Sequence, residues 1–175
     1  MIFFTADLHL SHSNIIRYCH RPFADVQEMN EVLIANWNSR VQPKDFVYVL
    51  GDFVFGGDFK MTVNRLNGGI GLVVGDHDRL AKEIPGKVRL LGWMHVLCTP
   101  CSIALCHYSL RTWPKSHYNS WSLYGHSHGH LVPEGKSFDV GVDVDSRFAP
   151  YSLAEIEKIM ETRPDNFNLV RKEEK

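Results

Sequence analysis

Five of the ten histidines in this 175-residue chain fall just after a short apolar run, four of them within two residues of an aspartate or a glycine. Asp7-Leu8-His9 sets a carboxylate and an imidazole two residues apart, so that both side chains point the same way in extended backbone. Gly51-Asp52 follows a second run, with a glycine that lets the backbone approach whatever the carboxylate binds. Gly75-Asp76-His77-Asp78, His107 and Gly125-His126-Ser127-His128 follow three more. Taken singly, each group reads as a strand-end cap or a turn. Taken together they offer oxygen and nitrogen donors, which suit manganese, iron, zinc, nickel or cobalt without choosing among them. Histidine also carries protons near neutral pH. Hydrolysis of an anionic phosphate ester needs both properties, because charge must be neutralised and a nucleophile made from water. Two divalent ions about 3.5–4 Å apart do both.

The ordered blocks Asp-x-His, Gly-Asp, Gly-x-His-Asp, a lone His and Gly-His-x-His resemble those of the calcineurin-like metallophosphoesterases, in their small single-domain bacterial or phage form. The likeness extends from Asp7 to His128. It implies an α/β fold of metallo-dependent phosphatase type, a four-layer α/β/β/α sandwich of two mixed sheets flanked by helices. It implies two divalent transition-metal ions, manganese first among them, one held by Asp7, His9, Asp52 and His128 and the other by Asp52, Asp76, His107 and His126. Asp52 would bridge the pair. The implied reaction is hydrolysis of a small phosphodiester or nucleotide-type substrate by a metal-bridging hydroxide. His77 would protonate the leaving oxygen, with Asp78 orienting its ring or raising its pKa. Phosphomonoester hydrolysis at the same site is one alternative. Another is a metal-binding scaffold without turnover, like a retromer subunit of similar fold.

One position departs from the family pattern. Asp76 stands where asparagine would ligate through its carbonyl and offer an amide N–H to the phosphate, and an ionised aspartate cannot donate. Three carboxylates against two divalent ions leave one formal positive charge, which a hydroxide cancels. Such a near-neutral centre favours diesters over dianionic monoesters.

The elements that must position these residues are legible in outline. Apolar runs at Ile2–Ala6, Phe46–Leu50, Ile70–Val74, Ile103–Cys106 and Trp121–Tyr124 read as buried strands, each ending at a ligand-type residue. In α/β sheets such ends converge on one site. Asp25 and Glu28 open an amphipathic helix that ends near Pro43, Asp58 opens a shorter one that stops at Asn67-Gly68-Gly69, and Ser152 with Glu155 caps a third.

The composition excludes several classes. With 44% hydrophobic and 22% charged residues the chain is not disordered, and no shift in composition divides residues 1–175 into more than one domain, with a charged tail from about residue 165. A net charge of −1 gives no field to hold long duplex nucleic acid. The stretch from Leu90 to Leu110 lacks charge but carries too many polar groups to span a membrane, and reads as two buried strands with a turn. The start of the chain lacks a signal-peptide pattern, which with four unevenly spaced cysteines predicts a cytoplasmic protein. Cys98-Thr99-Pro100-Cys101 and Cys106 read as buried structural thiols, since a full zinc pattern is missing. His12, Asn14, Arg17 and Arg21 follow the first motif, while Arg111, Lys115 and His117 precede the last, as substrate-contact candidates. His130 would support the metal shell.

Overall fold

The computed structural model describes residues 1–78, 85–99 and 101–170. Five strands, β1 (Ile2–Thr5), β2 (Phe46–Leu50), β3 (Gly69–Val73), β4 (Val88–Gly92) and β9 (Tyr151–Ser152), form a sheet in the order β4-β3-β2-β1-β9. β1 to β4 run parallel and β9 is antiparallel to β1. A second sheet, β5-β6-β7-β8, is built from β5 (Met94–Cys98), β6 (Ser102–Cys106), β7 (Trp121–Tyr124) and β8 (Ser137–Asp139), with only the β5–β6 pair antiparallel.

Alternation along the strands divides the core in two. Phe3, Val47, Val49, Ile70 and Leu72 face three helices, α1 (Ser13–Tyr18), α2 (Val26–Arg40) and α3 (Phe59–Asn64). Their neighbours Phe4, Leu50 and Val73 face the second sheet, where they meet Ile103, Leu105, Leu123 and Val140. α2 begins at Asp25, whose side chain accepts from the Glu28 amide at 2.9 Å, and it buries Met29, Leu33 and Trp37 at four-residue spacing. α4 (Leu153–Thr162) starts in the Ser152–Glu155 capping box and inserts Ile156 and Met160 at the edge of the inter-sheet core, next to β9 and β1.

The helix-flanked four-layer sandwich is therefore not what the chain forms. It is two mixed sheets with few helices, about 25% of the chain. Among the described residues no α-helix lies on the outer face of the second sheet, although Ala104, Ser122 and Tyr124 on that face are buried. Irregular segments are laced together there instead. Trp113 Nε1 donates to Ser120 O at 3.0 Å, and Asn166 Nδ2 donates to the carbonyls of Ser116 and Ser120 at 2.9 Å. The physical reason is in the sequence between β6 and β7, where Pro114 and the polar residues Lys115, Ser116, His117, Asn119 and Ser120 leave no apolar stripe at helical spacing.

The uncharged stretch Leu90–Leu110 does not fold as two buried strands with a turn. It contributes to three strands, and β5 at the sheet edge is only half-buried, with Met94 and Cys98 exposed. Among the described residues no helix is long and apolar enough to cross a membrane. The charged tail Arg171–Lys175 and Pro100 lie outside the described residues.

Candidate metal centre

The carboxyl ends of β1, β2 and β3 and of β6 and β7 open onto one cleft, and the loops that leave them carry the ligand-type side chains. Asp7, His9, Asp52, His126 and His128 all have positive φ, between 48° and 66°. Non-glycine residues adopt that conformation at a cost of about 1–3 kcal/mol each, a strain that clusters at functional sites. Close packing holds them in place. A Cβ on Gly51, itself at φ +86°, would lie 2.4 Å from His107 Nδ1, and one on Gly125 would lie 2.7 Å from Asp7 Oδ2. Both glycines are there because a ligand side chain occupies the space.

Ligand atoms of Asp7, His9 and His128 lie within 4.8 Å of one another, as do those of Asp76, His107 and His126 and those of Asp7, Asp52 and His107. Asp52 stands between the first two groups, its Oδ2 being 3.4 Å from His9 Nε2 and 3.6 Å from His107 Nε2. These groups of His and Asp could bind a metal. Asp7, His9, Asp52 and His107 are buried, whereas Asp76 and His126 are exposed, so one end of the centre opens to solvent.

The buried polar atoms test whether a cation fits. His9 Nε2 and His107 Nε2 have no hydrogen-bond partner. An unsatisfied buried polar atom costs about 1–3 kcal/mol, and two of them aimed at one carboxylate oxygen is the arrangement a cation would relieve. Burial pushes the Asp7 carboxyl well above its ordinary range, with His128 and the His126 amide acting against it. Burial also drives His9 down to about 2, with the nearby His128 and Arg21 adding to the effect, so its ring is neutral with a lone pair to give. The donor set and its electrostatics fit a divalent cation.

Surrounding groups fix the ligands in place. Asp7 accepts the His126 amide at both oxygens, 3.0 and 2.9 Å. Tyr108 donates its hydroxyl to Asp76 Oδ1 at 2.5 Å, which lowers the Asp76 pKa and pushes the phenol up to about 12. His128 Nδ1 lies 2.7 Å from Asp143 Oδ2. Asp143 is gripped in turn by Arg21, through Nε at 2.7 Å and a terminal nitrogen at 2.8 Å. Arg21 reaches on to the carbonyls of Leu8 and Asp7 at 2.9 and 2.7 Å. Asp139 accepts from Ser127 Oγ at 2.5 Å and from the amides of Gly129 and Gly141 at 3.0 and 2.7 Å, pinning the turn that carries His126 and His128.

No family model matches the chain. It is 34% identical over 172 residues, 91% of each chain, to the uncharacterized protein MJ1445 of Methanocaldococcus jannaschii. The chain belongs to the MJ1445 family. The solved structure of AQ665 from Aquifex aeolicus, a protein of unknown function, resembles this MJ1445-family fold with a TM-score of 0.71 at 23% identity, covering 91% of this chain and 98% of that one.

Several residues of this MJ1445-family chain occupy other places than their motifs suggest. Asp78 does not address the His77 ring. Its carboxylate accepts the amides of Asp52, Phe53 and Gly75 at 2.9, 2.9 and 2.7 Å, so it positions the loops. His77 is exposed in the cleft, and its amide donates to Asp52 Oδ1 at 2.9 Å. Arg21 is buried beneath the centre and is no substrate contact. Asn14 and Arg17 are exposed on α1 and do not line the cleft, while His12 and His130 do. Arg111 pairs with Glu134 and covers the Phe167 ring at 4.8 Å, beside a separate cavity of about 290 Å³. Lys115 donates to Ser102 and His117 is exposed, neither in the metal cleft. Cys98 is exposed and Cys101 half-buried, so only Cys106 of the three is a buried thiol.

Asp143, Asp139 and Tyr108 escape the sequence reading. Tyr108 directly follows His107, an adjacency that marks it, but Asp139, at the end of the three-residue β8, and Asp143, in the irregular stretch after Gly141, have no repeating pattern to single them out.

Proposed function

We propose that the chain is a metal-dependent phosphoesterase of the calcineurin-like kind, using two divalent ions, manganese first among them, to hydrolyse a phosphodiester. The observation that carries this reading is the shared carboxylate, with Asp52 Oδ2 between the partnerless Nε2 atoms of His9 and His107. Asp7, His9, Asp52 and His128 would hold one ion and Asp52, Asp76, His107 and His126 the other. Bound divalent ions supply positive charge to an anionic ester and lower the pKa of water toward neutrality.

The chain's own groups do the rest. His77 belongs to none of the ligand groups, and its ring stands in the cleft 5.6 Å from that of His9, within reach of a bound ester. It is the group to hand a proton to the leaving oxygen. Its backbone bond to Asp52 and the Asp78 staple keep it at that height. Asp76, kept ionised by Tyr108, brings the carboxylates at the centre to three and turns preference toward a singly charged diester.

Initial rates on bis-p-nitrophenyl phosphate and p-nitrophenyl phosphate, measured with metal-stripped protein after adding back Mn, Fe, Zn, Ni or Co, test the reading. Metal-dependent turnover that favours the diester and is lost in Asp52→Asn is expected. Metal binding without turnover of either ester would replace it with the scaffold reading.

A further inference from the structure

His9, Asp52, His126 and His128 line a cleft of about 470 Å³, the size of a small-ligand site. Beyond the ligand-type residues, its wall is made mostly of flat rings, with Ile15 and Cys19 beside them. His12 stacks face to face on Phe55, with centroids 3.8 Å apart and planes at 10°. The same imidazole has its Nδ1 3.5 Å from His9 Nδ1, which ties Phe55 to the metal-ligand shell. Tyr18, at the end of α1, meets His12 edge-on at 6.4 Å and carries the Arg17 guanidinium over its ring at 5.2 Å.

These rings are open to the cleft. Phe55 is 37% exposed and Tyr18 58%. Among the described residues no lysine or arginine lines this cleft, although Arg17 holds its guanidinium over the Tyr18 ring. What the wall offers is stacking, which serves any ring with a π-face.

We propose that the ester taken by this cleft carries a flat aromatic group, a nucleobase or an aryl ring, on the arm that does not leave, and that Phe55 and Tyr18 receive it. The inference rests on the phosphoesterase reading and names its substrate class.

Three esters with one leaving group isolate the retained arm: methyl p-nitrophenyl phosphate, phenyl p-nitrophenyl phosphate and the p-nitrophenyl ester of thymidylate. With manganese-loaded protein, kcat/KM for the two ring-bearing esters is expected to exceed that of the methyl ester by roughly tenfold or more. Phe55→Ala and Tyr18→Ala should narrow that ratio toward one, chiefly through KM, and Tyr18→Phe should restore it. A thymidylate ester that outruns the phenyl ester identifies a nucleoside arm, and equal rates identify a simple aryl arm. A methyl ester turned over as well as the others, or variants that slow all three alike, would overturn the proposal.

Calorimetric titration with thymidylate and methyl phosphate separates this proposal from the reading beneath it. Absence of hydrolysis for every ester removes the phosphoesterase reading, and the titration still decides the ring site. Thymidylate binding at least tenfold tighter than methyl phosphate supports it, whereas equal binding overturns it.

Discussion

His107 Nδ1 donates to the carbonyl oxygen of Leu50 at 2.8 Å, so in the neutral ring the lone pair is on Nε2, 3.6 Å from Asp52 Oδ2. A carbonyl can only accept, so the tautomer is set by the last residue of β2. A metal-ligating imidazole is commonly fixed through its other nitrogen in this way.

His107→Ala removes that lone pair. Bound manganese, measured by elemental analysis after dialysis, is expected to fall from two per chain to one. Because changes beyond the ligands themselves already cost roughly 10–100-fold, diester hydrolysis should fall by at least about 100-fold. Two tightly bound ions in the variant would refute the assignment.

Arg21 and Asp143 act at one remove. Asp143→Asn weakens the hold on His128 and should lower metal affinity by roughly 10–100-fold while the chain stays folded, which a competition titration with a chelating dye reads directly. Arg21→Leu is a different case, since it strips a buried carboxylate of its partner. A loss of about 3–5 kcal/mol in urea unfolding is expected, and unchanged stability would show that Asp143 is compensated by other means.

The contrast between these residues explains what was legible in the sequence. Asp7, His9, Asp52, His107 and the Gly125–His128 block stand out because each directly follows a strand whose apolar run is itself visible, so motif and element mark the same place. Asp143 follows no such run. Its importance comes from Arg21, more than a hundred positions earlier, and a contact of that range leaves no local trace. Asp78 differs for a related reason: adjacency to His77 suggests a side-chain pair, whereas the turn directs its carboxylate at the Asp52 and Phe53 amides of the loop after β2 and at the Gly75 amide of its own loop. The helical layers rest on the family resemblance alone, and no residue pattern in the chain demands them. Where apolar periodicity itself marks a helix, at Asp25–Pro43 and Ser152–Pro164, helices are present.

Asp76→Asn tests the charge count at the open end of the centre. The amide can still ligate through its carbonyl, adds a donor for a phosphate oxygen and removes one negative charge. Turnover of bis-p-nitrophenyl phosphate should rise severalfold, and relative activity on p-nitrophenyl phosphate should rise more, because the dianion gains most from added positive charge. Unchanged or lower activity in the variant would show that the Tyr108–Asp76 hydrogen bond matters more than the charge.

His128 gives the metal-free protein a pH-dependent stability of definite sign. Burial disfavours charge on its ring, but the Asp143 carboxylate at Nδ1, helped by Cys19 and Asp7, outweighs this and raises the pKa from 6.5 to about 10. A group with a higher pKa folded than unfolded holds its proton more tightly in the folded chain. Its contribution is therefore complete below pH 6.5 and lost as pH rises toward 10, a span worth on the order of a few kcal/mol. The raised carboxyl of Asp7 acts in the same direction at lower pH. In the presence of a chelator, the calorimetric melting temperature should fall steadily from pH 6.5 to 10, and Asp143→Asn should flatten most of that slope. Saturating manganese should abolish the slope too, because an ion on Nε2 replaces the proton there and is favoured as pH rises. A wild-type slope that survives both treatments would place its origin elsewhere in the chain.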